Sequence, residues 1–101
     1  MAGGALATVA APVLAQVYDT SMAQREDSIR LRIDDGARMG DLAPGQVSRL
    51  RGELREIVDL DARYQSEGMS DWQARDIDSR LDLLSSRLNH EVNMNRDYNG
   101  Y

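Results

Sequence analysis

The sequence predicts an all-α protein: a small antiparallel three-helix bundle with helices near 20–39, 44–66 and 71–93, preceded by an apolar leader. Three observations carry this prediction. Apolar residues recur at steps of three and four through most of the chain, the spacing of one helical face. No stretch alternates apolar and polar residues with the period of two that a half-buried strand requires. Two short segments, at Gly40 and Gly68, interrupt the helical pattern and divide it into three.

The first element is the leader, residues 1–16, MAGGALATVAAPVLAQ. It is small and apolar, and the first charged residue is Asp19. Val13-Leu14-Ala15 ahead of Gln16 has the form of a small-residue cleavage site closing a signal-peptide apolar region, although no basic residue precedes it. The run is too short and too rich in Ala and Gly to cross a bilayer, which takes about 20 apolar residues. Residues 1–16 are therefore expected to be an export leader or an N-terminal arm, and residues 17–93 the helical domain.

The first helix has a sparse stripe, Met22, Ile29, Ile33 and Ala37. The second has a fuller one, Val47, Leu50, Leu54, Ile57 and Tyr64, with Asp61 in one place where an apolar residue is expected. The third steps regularly through Ala74, Ile77, Leu81, Leu84 and Leu88. The joints between them have chemical signatures. Gly40 and Gly68 stand where the preceding helices end and can adopt the left-handed backbone that closes a helix. Ser70-Asp71-Trp72-Gln73 is a capping box. Ala43-Pro44-Gly45-Gln46 is a partial copy of it, without the hydroxyl but with proline at the first helical position. The two joints form a weak internal repeat, and such short connections make neighbouring helices antiparallel. Glu26–Arg30, Asp34–Arg38, Asp59–Arg63, Asp71–Arg75 and Asp76–Arg80 are acid-first pairs one turn apart, expected to line solvated faces. Residues 94–101 read as a polar tail.

Composition narrows the chemistry. The chain has 101 residues, room for one small domain. It has no Cys, which excludes disulfides, thiolate metal sites and a thiol nucleophile. All 12 basic residues are Arg, so no lysine Schiff base can form. A net charge of −5, with arginines interleaved among acids, argues against a nucleic-acid or anionic-membrane partner.

Several carboxylates invite a metal reading. With Asp35 as position 1 of a calcium loop, Gly40 falls at position 6, Leu42 at 8 and Gln46 at 12. Ala37 and Met39 then occupy ligand positions, and Gln46 replaces the bidentate acid, so the loop reads as a joint between helices. Asp61 lies before the second joint near Asp59, Glu67 and Asp71, but these occupy different faces. Asp78 and Asp82 lie one turn apart and could share a cation in a bundle. The lone imidazole, His90, follows Ser86 by one turn without any oxyanion-stabilising element. No catalytic residue and no cofactor is predicted.

The segments RIDDGARMGDLAPGQVSRLRGELREI and DARYQSEGMSDWQARDIDSRLDLLSSRL lie within the span from Ile29 to Leu88. Over that span the chain resembles a group of short, exported, Arg-rich helical proteins of sphingomonad-type alphaproteobacteria. In that group the turns read approximately Gly-x-Leu-Thr-x-x-Glu and the body closes on Arg-Leu-Asp-x-Leu-Ser. Leu81-Asp82-Leu83-Leu84-Ser85 carries the second pattern, while Ala43 and Gln46 depart from the Thr and Glu of the first. The resemblance implies export and a helical body and supplies no activity. The expectation is thus a non-enzymatic protein, periplasmic or at the cell surface, acting on a protein partner or as a homo-oligomer. Leu31, Leu60, Leu83, Trp72, Tyr98 and Tyr101 are the expected contact residues. The alternative is a periplasmic cation-binding protein using Asp35, Asp61, Asp78 and Asp82.

Overall fold

The computed structural model of the chain describes residues 10–98, with side chains from residue 21 onward. Among these residues there are three helices, α1 (Ala10–Met39), α2 (Pro44–Ser66) and α3 (Asp71–Tyr98), and no strand. Each helix packs against both others in a three-helix bundle. No described helix is long and apolar enough to cross a membrane.

The stripes meet along the bundle axis. Met22, Ile29 and Ile33 of α1 are buried against Val47, Leu50, Leu54 and Ile57 of α2 and Ala74, Ile77, Leu81, Leu84 and Leu88 of α3. Leu42, in the first joint, joins this core. The core is aliphatic, and Tyr64 packs on its edge. One expected member is corrected: Ala37 is exposed and Gly36 is buried in its stead. The cause is Leu42, which folds back over the end of α1 and donates its N–H to the Gly36 carbonyl at 3.1 Å. A Cβ at Gly36 would lie 2.6 Å from Leu42 Cδ1, so the missing side chain makes room for the leucine.

The joints follow the expected chemistry. Gly40 and Gly68 have φ of 76° and 93°, values that only glycine adopts without strain. Met69 N–H donates to Tyr64 O at 2.8 Å and Gly68 N–H to Gln65 O at 3.1 Å, the paired bonds of a Schellman end. Before α3, Ser70 N–H donates to Gln73 Oε1 at 2.8 Å, and Gln73 N–H reaches Ser70 Oγ at 3.4 Å. Before α2, only half of the box forms: Ala43 N–H donates to Gln46 Oε1 at 2.9 Å.

The outer helix boundaries move outward from those expected. α1 reaches back to Ala10, so residues 10–16 of the expected leader are helical; residues 1–9 lie outside the described residues. Pro12 is the only helix breaker in this stretch and falls in the first turn, where its absent N–H is harmless. α3 continues through Tyr98, so residues 94–98 of the expected tail are helical. Asn95 anchors that extension by donating to Asp41 O and Gln46 Oε1, each at 2.7 Å.

The surface charges also pair differently. Of the five expected one-turn pairs, Asp76–Arg80 forms, at 3.1 Å. Arg30 instead holds Asp27, Arg38 holds Asp35, and Arg51 crosses from α2 to Asp34 of α1 at 2.8 Å. Arg30 and Arg38 stay on their own helix but take the acid three residues back, whereas Arg51 lies beside the neighbouring helix and its long side chain bridges the seam.

Candidate functional site: a buried carboxyl pair

The stripe of α1 skips from Met22 to Ile29, and the place between belongs to Glu26. The stripe of α2 continues past Ile57 to Asp61. Antiparallel packing brings these two acids together inside the bundle, where Glu26 is 7% exposed and Asp61 4%. Their carboxyls are hydrogen-bonded to each other. Two carboxylates in contact cannot both be ionised at modest cost, so the contact requires a proton. That proton belongs to Glu26, whose pKa is pushed up from 4.5 to about 7. Burial is the largest cause, followed by the hydrogen bond to Asp61 and by its charge; Asp27 adds to the effect and Arg30 opposes it. Glu26 O–H therefore donates to Asp61. Gln65 Nε2 donates to Asp61 Oδ1 at 3.0 Å, one turn further along α2. Glu26 Oε2 is buried without a hydrogen-bond partner. Such an arrangement can exchange one proton near neutral pH.

The other expected cation ligands are engaged elsewhere. Asp35 faces Arg38 on the exposed side of α1. Asp78 and Asp82 do converge, but on a guanidinium: both accept from Arg25 of α1. Glu67 accepts from Gln73 Nε2 at 2.9 Å. Ser86 and His90 both lie on the exposed side of α3. Among the described residues no group of three or more His, Cys, Asp or Glu could hold a metal ion.

Of the expected contact residues, Leu31, Leu83, Trp72 and Tyr98 are more than half exposed. Trp72 is braced edge-to-face by Tyr64, with ring centroids 5.6 Å apart at 67°. Leu60 is half-buried, packed against the edge of the core. Tyr101 lies outside the described residues. Met39 and Met94 are exposed apolar residues that the helical pattern did not single out. Glu26 was missed as well. Its signal was the gap of seven between Met22 and Ile29, which helical spacing fills at residue 26.

No protein-family model, curated protein or solved structure matches the chain.

Proposed function

We propose that the chain is a small exported, non-enzymatic helical protein that works by protein–protein contact, as an accessory subunit or a self-assembling module in the periplasm or at the cell surface. The observation that carries this reading is the large apolar side chains left outside the bundle: Leu31, Met39, Trp72, Leu83, Met94 and Tyr98. Trp72 has one side of its ring system braced by Tyr64 and the rest free to meet a partner, and such exposed aromatic anchors are the usual centres of contact energy. Leu83 borders a groove of about 240 Å³ between α2 and α3, lined by Glu53, Glu56, Ile57, Arg80, Leu84 and Arg87. An apolar residue beside a charged rim is the usual make-up of a contact patch. Export rests on the uncharged apolar start of the chain and on the family resemblance. Cation buffering is the weaker reading, since Asp35, Asp78 and Asp82 already face arginines.

Sedimentation of the full chain over a wide concentration range tests this. The expected result is a mass and a Tm that both rise with protein concentration. Trp72→Ala and Leu83→Glu should each weaken association by about tenfold or more while leaving the isolated subunit folded. A strict monomer at every concentration removes self-assembly and leaves only a partner of different sequence.

A further inference from the structure

We propose that the Glu26–Asp61 contact is a proton-operated latch on α1: one proton between the two carboxyls keeps α1 docked on the α2–α3 hairpin, and loss of that proton frees its N-terminal half. The device does not depend on which partner the protein contacts.

Connectivity gives the latch something to release. The pair joins α1 to α2 near the corner that links α2 to α3. α1 connects to α2 at the opposite end of the bundle, through the joint after Met39, where Gly40 has a positive φ. Its N-terminal half can therefore leave without breaking either joint. The α2–α3 corner is independently secured by the Ser70–Gln73 box, the Schellman bonds and Tyr64 O–H donating to Asp76 Oδ2 at 2.7 Å.

The surroundings cannot absorb a second negative charge. On α1, Arg25 and Arg30 flank Glu26, but Arg25 is committed to Asp78 and Asp82 and Arg30 to Asp27. Asp27 is itself an anion that raises the cost of ionising Glu26. On α2, the facing groups are Asp61 and the neutral Gln65. On α3, Arg25 fixes the level at Asp78–Asp82, so the buried face there is Ile77 and Leu81. Arg75 of α3 is an exposed side chain that borders the groove beside Met22 and Arg25, at the turn before Glu26, and Asp76 and Arg80 hold each other. Glu26 Oε2, already buried without a partner, is tolerable on a neutral acid and far more costly on an anion. The proton affinity of Glu26 agrees with this geometry, since burial and Asp61 push its pKa up to about 7. Release would uncover Met22 and Ile29 on α1 and the Ile57, Ala74 and Ile77 surface beneath them.

Hydrogen exchange of the full chain, corrected for the intrinsic pH dependence of exchange, tests the latch. Protection over residues 20–30 should fall about tenfold between about pH 6 and pH 8, while residues 60–77 keep theirs. Glu26→Gln, which carries a permanent donor to Asp61, should hold its protection at the higher pH. Asp61→Asn, which removes the opposing charge, should do the same and serves where the first variant folds poorly. A loss spread evenly over all three helices, or a Glu26→Gln profile that follows the parent, overturns the proposal.

Discussion

At the scale of residues, two acids occupy places that the helical period reserves for apolar side chains. A Glu whose folded pKa lies above its unfolded value binds an extra proton in the native state, so stability falls as pH rises through that interval. For Glu26 the interval runs from 4.5 to about 7, and its span corresponds to roughly 3 kcal/mol. The opposite sign holds for Asp76 and Asp41. Hydrogen bonds from Tyr64 and then Arg80 hold Asp76 below the usual carboxylate range, and Arg96 does so for Asp41. Their contributions are present above 3.8 and lost as pH falls below it. Stability should therefore peak on the acid side of neutrality, which urea denaturation across pH would show. Replacing both buried acids, as Glu26→Leu with Asp61→Leu, should remove the alkaline slope and raise stability at about pH 8 by about 1–4 kcal/mol. A double variant with the parent's slope would show that another group titrates. Asp61 was legible in the sequence as an interruption of a full stripe. Glu26 was not, because a one-turn pairing with Arg30 gave it a solvent-facing explanation; acids are so seldom buried that the outward reading wins by default.

At the scale of elements, what the sequence made plain was whatever had local chemistry. Glycine at a helix end, a serine with glutamine three residues on, and a proline at a first turn each act through neighbouring backbone. The joints accordingly formed where expected. The far ends of α1 and α3 have no comparable signal, and there the helices ran on by ten and five residues past the expected limits. Asn95, which ties the end of α3 to the first joint, acts across 49 and 54 residues of sequence and has no local trace. The difference between the two joints yields a prediction. Ala43 already has the extended backbone of a cap, φ −71° and ψ 154°, but no oxygen to offer. Ala43→Ser should stabilise the protein by about 0.5–2 kcal/mol, and Ser70→Ala should destabilise it by a similar amount. Thermal unfolding of the two variants checks both signs, and an unchanged Tm for Ala43→Ser would mean that the first turn of α2 is already satisfied.

At the scale of the whole molecule, the arginines form a web between helices. Arg25 and Arg32 reach from α1 to α3, Arg51 from α2 to α1, Arg49 from α2 to Glu91, Arg87 from α3 to Glu53, and Arg96 from α3 to Asp41. A guanidinium suits this role, because it is always charged and can engage two acceptors in one plane, as Arg25 does with Asp78 and Asp82. These contacts could not be read from a single helix; they depend on which faces the fold brings side by side. They do not carry the stability. Most are substantially exposed, and pairs of that kind contribute about 0–1 kcal/mol each, screened by salt. What they fix is register, since each one matches a single level of one helix to a single level of the next. The fold itself rests on the aliphatic core, where Leu81 is fully buried among all three helices. Leu81→Ala should therefore destabilise by about 2–5 kcal/mol. Raising the salt concentration to about 1 M, where the screening length shrinks to about 3 Å, should cost less than that single substitution even though it weakens every bridge at once. The comparison is made by unfolding parent and variant at low and high salt. A salt effect larger than the Leu81→Ala effect would transfer the main stabilising role from the core to the arginine web.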